Sequence, residues 1–406
     1  MKQKDYKVNV VRCDHRSSQA EIDSALRDVT ASLDRSWEQL KKAKKIVIKF
    51  NAVWPPERLA FFEDTYRELV DPRVMLGVLR LLKEKTTARL SVVDTTLTGD
   101  EVDVYFKPML EEMGVEFVNG SNQPVQWYEI KEGGLMFNRY LLSSHFADAD
   151  AVVSVAKMKS HKSTGITLCT KNFFGVSPLP PAGRPRSYFH HMVRLPYCMV
   201  DFAMILKPCL NIVEGLTSQT GNEWGGEGVV TDLLMAGDHV TATDACGARL
   251  MNNDPEIDWP TPPFRRERNT VLLAANKGFG TLDMDKIDFT SDISVPAVAA
   301  GVFNSIETDS PETIFSWRKT ASEQALFYRD HRDQLIDQYE NEYIFLQRGE
   351  VVWHGNDLSL LRSRRELSGR YKTESLFLKF VDREETEQEN YSVYEKELDA
   401  MTAMEG

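Results

Sequence analysis

The chain has 406 residues, of which 42% are hydrophobic and 10% aromatic, and it carries a formal charge of −12. A composition this apolar can bury a large core, which excludes a disordered tail protein. The acidic balance argues against nucleic acid as a partner, because phosphate binding requires a basic field. We find no signal core and no uncharged apolar run of about 18 residues, so we expect a cytoplasmic protein that does not enter a membrane.

Apolar and amphipathic segments alternate along the chain, which predicts an α/β fold. Strands are predicted at 8–13, 46–50, 89–94, 115–118, 151–155, 210–214, 231–236 and 271–275. Helices are predicted at 20–44, 71–82, 103–113, 190–206 and 241–252. This order predicts a mostly parallel sheet with helices on both faces.

The carboxyl-terminal third has a different character. We expect residues 1–320 to form the α/β core domain, and residues 321–383 to contribute a charged helix and a small ββαβ module. A unit this short gains stability by docking on a larger surface, so we assign it to recognition, to stability or to contacts between copies of the chain. Residues 384–406 are interpreted as an acidic tail in solvent.

Polar side chains directly follow several of the predicted strands. Lys49 and Asn51 come at the end of one strand, Glu214 ends another and Asp238 follows a third. The carboxyl ends of parallel strands lie along one edge of a sheet, where ligands bind. We therefore expect these groups to converge on a site that mixes cations with carboxylates.

One segment, AVVSVAKMKSHKSTGITLCTKNFFGVSP, holds the densest set of candidate ligands. Side chains alternate across an extended backbone, so Lys157, Lys159 and His161 should share one face. Lys171 and the amide of Asn172 follow in a helical stretch and could clamp the same anion. We expect a turn that binds a carboxylate or a phosphate, and the alternative is a solvated lysine turn that caps a strand.

Three residues are candidates for acid–base chemistry. His161 is the first choice for a proton carrier or a metal ligand, because an unperturbed imidazole titrates near neutral pH, and the alternative is that it hydrogen-bonds the turn. Glu227 lies in the glycine-rich segment EGLTSQTGNEWGGEGVV, where backbone amides can approach a bound group; a flexible surface loop is the alternative interpretation. His190 stands at the entrance to an amphipathic helix and could reach the site.

The carboxylates have two alternative roles. They could hold a divalent cation opposite the lysines, with Glu214, Asp238 and Asp244 as the candidate ligands. They could instead balance the charge of the lysines without a metal. The sequence leaves both alternatives open.

The pattern K-x-K-x-H…T-G-x-T…K-N-x-x-G in the lysine segment resembles the signature of domain-of-unknown-function family 362. The likeness extends to IVIKFN, KPCLNIVEG and MAGDHVTATDACGARLM, and so covers about residues 40–255. Members of this family often append a ferredoxin-like cysteine segment, but the five cysteines of this chain are scattered and form no C-x-x-C. We therefore expect a reducing compartment and no intrinsic iron–sulfur cluster.

These observations favour an enzyme that acts on a small carboxylate- or phosphate-bearing metabolite. Proton transfer would make it an isomerase, and redox chemistry with an external cofactor would make it an oxidoreductase. The alternative from another class is a non-catalytic protein that presents a cofactor or a metal to a protein partner through the carboxyl-terminal module.

Overall fold

A nine-stranded sheet is the largest element of the computed structural model, which describes residues 4–96, 103–358, 364–369 and 371–405. The described strands are, in chain order, β1 (Tyr6–Arg12), β2 (Lys45–Phe50), β3 (Phe61–Phe62), β4 (Thr65–Tyr66), β5 (Arg89–Asp94), β6 (Glu116–Asn119), β7 (Val125–Glu129), β8 (Arg139–Ser143), β9 (Ala151–His161), β10 (Gly165–Thr167), β11 (Leu210–Thr220), β12 (Glu227–Gly237), β13 (Ile287–Ser291), β14 (Tyr343–Gln347), β15 (Glu350–Gly355) and β16 (Phe377–Phe380).

The strand order in the large sheet is β13-β1-β12-β11-β9-β2-β5-β6, with β10 paired to β9. The run from β11 through β9, β2 and β5 to β6 is parallel, and β13 is parallel to β1. Strand β12 runs antiparallel to both β1 and β11. The sheet is therefore mostly parallel, as predicted, and the carboxyl ends of β1, β2, β5, β9 and β11 lie along the same edge.

The described helices are, in chain order, α1 (Gln19–Thr30), α2 (Asp34–Lys42), α3 (Pro72–Lys85), α4 (Lys107–Glu112), α5 (Cys169–Asn172), α6 (Arg186–Phe189), α7 (Arg194–Leu206), α8 (Val240–Leu250), α9 (Thr270–Asn276), α10 (Pro311–Asp330), α11 (Arg332–Tyr339), α12 (Arg364–Leu367) and α13 (Ser392–Glu405). Within the described ranges, every helix is too short or too polar to span a bilayer.

Helices cover both faces of the large sheet. Leu234 and Ala236 of β12 belong to a buried core that also contains Leu26 of α1. Met235, between them in the strand, lies next to Gly247 of α8. Successive strand residues point to opposite faces, so α1 and α8 pack on opposite sides of the sheet, as the alternation of elements predicts.

Two predicted elements differ from the observed ones. The long helix expected at 20–44 is divided into α1 and α2, because Leu33 has a non-helical backbone and a side chain that is buried in the core. The strand expected at 271–275 is wrong, since these residues lie in α9. The side chain of Asn269 accepts hydrogen bonds from the N–H groups of Val271 and Leu272, which starts a helix at a short apolar run.

The lysine motif lies on a buried strand rather than in a turn. Strand β9 runs for 11 residues to His161, and each of them is buried. Beyond the predicted strand end, His161 pairs with Gly165 of β10 and Lys159 pairs with Gln219 of β11. Gly165 has a φ of +73°, and a Cβ there would lie 2.8 Å from the ring of Phe264, so this turn requires glycine.

Contacts divide the chain into unit 1 (Met1–Gln126, Leu141–Gly183 and Phe202–Ile306) and unit 2 (Trp127–Tyr140, Arg184–Asp201 and Glu307–Gly406). The large sheet lies in unit 1. Unit 2 contains the predicted ββαβ order as β14, β15, α12 and β16, and its sheet is antiparallel with β14 at the centre.

The division into units differs from the boundaries expected at 320 and 383, because two segments from the middle of the chain belong to unit 2. The segment expected as a solvated tail contains α13. Within it, Tyr394 and Glu397 are buried, and Glu397 pairs with the buried Arg318 of α10. These contacts give the last residues of the chain a packing role within unit 2.

Candidate functional site

The carboxyl edge of the large sheet brings together charged residues from four parallel strands. Lys49 of β2, Asp94 of β5, Lys157 of β9 and Glu214 of β11 are each at most 4% exposed. Their convergence follows from the parallel order of these strands, as the sequence predicted. Burying so many charges is costly unless each has a partner, so the partners decide what this edge can do.

Lys49 is held in a structural network. Its Nζ donates to the Asp94 Oδ2 at 2.8 Å, to the main-chain oxygen of Phe50 at 2.7 Å and to the Asn172 Oδ1 at 3.2 Å. The Asn172 Nδ2 donates in turn to the main-chain oxygen of Lys49 and to the Ser154 Oγ. An ammonium has three N–H donors, so these contacts use the capacity of Lys49 and join β2, β5, β9 and α5.

Lys157 and Glu214 form an ion pair in which both side chains are 0% exposed and Nζ lies 2.7 Å from Oε2. The carboxylate also accepts main-chain N–H groups from Leu216 at 2.8 Å and from Asp71 at 3.3 Å. Burial raises the pKa of Glu214, while the Lys157 ammonium opposes that rise. This pair is satisfied within the protein, so it supports the edge rather than offering a free charge.

Lys159 differs from these lysines because no described carboxylate forms an ion pair with it. Its Nζ donates a 2.7 Å hydrogen bond to the main-chain oxygen of Glu68 and lies 4.6 Å from the centroid of the Trp224 ring. Burial lowers the pKa of this ammonium to about 8, although the Glu68 and Glu223 carboxylates oppose the change. With three N–H donors, Lys159 retains hydrogen-bonding capacity for a ligand.

His161 is buried, and its hydrogen bonds define its tautomer. The Nδ1 accepts main-chain N–H groups from Ser163 at 3.0 Å and from Thr164 at 3.2 Å. A nitrogen that accepts carries no proton, so the neutral ring has its hydrogen on Nε2. That atom lies 3.7 Å from the Glu223 Oε1. The ring can therefore present an N–H donor on the side of Glu223.

Lys157, Lys159 and His161 share one face of β9, as alternation predicted. Their partners come from the same two segments, residues 65–71 before α3 and residues 214–224 in and after β11. Three nitrogen-bearing side chains from one strand thus face a common set of groups.

Trp224, which lies beside Lys159, is stacked on a second tryptophan. Trp54 and Trp224 stack with ring centroids 3.6 Å apart and an interplanar angle of 9°. Glu68 holds the loop that carries Trp224, because its Oε1 accepts the N–H of Gly225 at 2.6 Å. Trp54 and Glu68 were not predicted, because their positions in the chain gave no motif. Glu223 and Trp224 lie in the glycine-rich segment that the sequence did indicate, although neither was singled out there.

The other predicted residues are placed less centrally. Asn51 has a buried Oδ1 for which the described residues provide no hydrogen-bond donor. Lys171 is half-buried in α5, with Nζ 4.8 Å from the centroid of the Phe174 ring. Glu227 is exposed at the start of β12, paired with Thr220. His190 belongs to unit 2, where its main-chain N–H donates to the main-chain oxygen of Arg186. Its role in acid–base chemistry stays a prediction.

The three predicted metal ligands are not brought together. Asp238 follows the end of β12, which is antiparallel to its neighbours, so it lies at the opposite edge from Glu214 and pairs there with Arg35 at 3.0 Å. Asp244 accepts the main-chain N–H groups of Cys169 and Thr170 at 2.9 and 2.8 Å, and thereby stabilises the start of α5. The prediction that Asp238 meets the other polar groups at the carboxyl edge was wrong, because the reversed direction of β12 cannot be recognised from its own sequence.

The fold and this edge together define an α/β protein in which paired, buried charges surround Lys159, a lysine with no ion-pair partner among the described residues. The model for the domain of unknown function DUF362 matches residues 46–249, about half of the chain. The chain belongs to this family. The matched segment contains Lys49, Lys157, Lys159, His161 and Glu214.

The chain is also similar to individual proteins. A thylakoid-associated protein of Synechocystis is 30% identical over 125 residues, which are 29% of this chain and 38% of that protein, so the chain spans well under half of this relative. The solved lactate racemase apoprotein from Thermoanaerobacterium thermosaccharolyticum aligns over 59% of this chain and 55% of its own, with 12% identity and a TM-score of 0.35.

Proposed function

We propose that this protein is an enzyme that binds a small carboxylate- or phosphate-bearing metabolite at the carboxyl edge of its sheet and transfers a proton to or from it. The observation that carries the proposal is the buried ammonium of Lys159, which has no ion-pair partner among the described residues. An unpaired buried charge costs several kcal/mol. An anionic ligand would supply the missing partner.

The chemistry of the neighbouring groups supports proton transfer. A pKa of about 8 leaves Lys159 able to bind an anion as an ammonium and to accept or release a proton near neutral pH. The Nε2–H of His161 adds a neutral donor on the same face of β9. Lys49 and Lys157, whose described carboxylate partners hold them in place, fix the strand ends around this pair.

A ligand screen with two matched variants tests the binding step. Inorganic phosphate and small mono- and dicarboxylates would be added to the wild type, to Lys159→Met and to Lys83→Met. The last variant is the control, because Lys83 is an exposed residue of α3. We expect an anion that raises the melting temperature of the wild type and of Lys83→Met. Its affinity should fall about 10- to 150-fold in Lys159→Met, which corresponds to about 1.5–3 kcal/mol for a charged hydrogen bond.

Proton transfer is tested separately with the anion that binds. Incubation in D₂O followed by ¹H NMR would reveal exchange of a carbon-bound proton in the wild type and not in Lys159→Met. Equal affinity in Lys159→Met and the wild type would refute the anion site. Binding without exchange or conversion would refute the enzyme and favour the non-catalytic alternative, in which the chain presents a cofactor or metal to a partner.

A further inference from the structure

A second group of side chains in unit 1 surrounds His15, which precedes α1 and lies outside the DUF362 match. The carboxylates of Asp14 and Asp232 lie with His15 in a cluster whose potential ligand atoms are within 4.8 Å of one another, and Glu63 approaches from the turn between β3 and β4. His15 is 7% exposed. The sequence pattern indicated no role for this histidine.

One ring nitrogen of His15 is held by a carboxylate. The Nδ1 lies 2.8 Å from the Asp232 Oδ1, and the main-chain N–H of His15 donates to the same oxygen at 2.9 Å. A carboxylate can only accept, so Nδ1 carries the hydrogen and the neutral ring has its lone pair on Nε2. A histidine whose other nitrogen is fixed by a carboxylate is the usual arrangement around a protein-bound metal.

The other ring nitrogen of His15 is buried and lies close to a second carboxylate. The Nε2 has no hydrogen-bond partner among the described residues, and the Glu63 Oε2 lies 3.7 Å from it. This separation is longer than a hydrogen bond. Two ligands about 2.1 Å from one ion lie about 3.0–3.6 Å apart at angles of 90–120°.

The charges also suit a divalent cation. Asp14, Asp232 and Glu63 contribute three negative charges around the imidazole. The Arg16 Nη2 lies 2.8 Å from the Glu63 Oε2 and offsets one of these charges. The Glu63 side chain is 39% exposed, so water can reach the remaining coordination positions. An imidazole ligand favours a transition metal such as zinc or cobalt over magnesium and calcium.

We infer that His15 Nε2 and Glu63 bind a divalent transition-metal ion, with Asp232 orienting the imidazole and Asp14 adding negative charge. This inference does not rest on the proposed function. It places an ion at the same sheet edge as Lys159, because β1 ends at that edge.

The experiment uses the full chain, freed of metal with a chelator and titrated with Co²⁺ or Zn²⁺ alone. We expect one ion per chain, unaffected by millimolar Mg²⁺. Affinity should fall at least tenfold in Glu63→Gln and His15→Ala, and about 10- to 100-fold in Asp232→Asn, the range for residues that orient a ligand. His354→Ala is the matched control, because His354 forms a 2.6 Å pair with Glu342 in unit 2 and has an exposed side chain.

Glu63→Gln keeps the result interpretable if His15→Ala fails to fold, since Glu63 lies in a partly exposed turn. Equal Co²⁺ affinity in the wild type and Glu63→Gln, or no stoichiometric binding to the wild type, would overturn the inference. Neither result depends on Lys159, so the proposed function is tested independently.

Discussion

Replacing Lys157 by Met should strongly destabilise the protein, because it removes one partner of an ion pair that is 0% exposed on both sides. Glu214 would keep two main-chain hydrogen bonds, from Leu216 and Asp71, but would lose its counterion in the core. One-sided removal of a buried ion pair costs about 3–5 kcal/mol. Urea-induced unfolding followed by circular dichroism measures this loss.

The loss should depend on pH in a defined direction. Burial raises the pKa of Glu214 above its ordinary value, so the folded state holds this proton more tightly than the unfolded state does. The contribution of Glu214 to the free energy of unfolding therefore declines as pH rises. Without Lys157, the opposing influence disappears and the pKa rises further. We therefore expect a larger destabilisation at pH 8 than at pH 5, where the carboxyl can take up a proton.

Lys159→Met is the matched control for this experiment. The pKa of Lys159 is lowered by burial, so the charged form destabilises the folded state at pH 7, and an apolar side chain of similar length should leave stability unchanged or raise it. The double variant Lys157→Met with Glu214→Gln should lose less than the sum of the single variants. Additive losses, or a loss below about 1 kcal/mol for Lys157→Met at pH 8, would refute the structural role of the pair.

Two further predictions concern buried groups outside the lysine cluster. All five cysteines are buried, and burial raises the pKa of Cys13 to about 11 and that of Cys246 to about 12. The native protein should therefore not react with a disulfide reagent at pH 8 until urea unfolds it. Rapid reaction of a thiol in native buffer would contradict this prediction. Asp244→Ala should lower the free energy of unfolding by about 1–3 kcal/mol, because two buried N–H groups lose their acceptor, and Asp244→Asn should recover part of the loss.

The parallel part of the fold could be predicted because local signals agreed with the global arrangement. Short apolar strands alternate with amphipathic helices, and a strand such as β5 was predicted at 89–94 with the bounds that it has. The direction of β12 could not be predicted, since reversal depends on pairing with β1 and β11 rather than on its own residues. That single reversal moved Asp238 away from the expected site.

The distribution of the lysines over the site was only partly predictable. Alternation in β9 was sufficient to place Lys157, Lys159 and His161 on one face. Which lysine has a counterion depends on contacts between distant residues, since Lys49 meets Asp94 from 45 positions away and Lys157 meets Glu214 from 57. The residues around a lysine in the sequence do not show whether it will form an ion pair with a distant carboxylate.

The cost of burying Lys159 is itself an argument about its role. Lys49 and Lys157 join strand ends through their carboxylates, so replacing either would break a structural contact. Lys159 has a carbonyl and a tryptophan ring as its contacts, and methionine could fill its volume without a buried charge. Within the described residues, Lys159 thus has a main-chain acceptor but no carboxylate ion pair, and the proposed anion would supply that counterion. Strands β12 and β9 are separated only by β11, so Asp232, which orients the proposed metal ligand, belongs to a strand about 10 Å from β9.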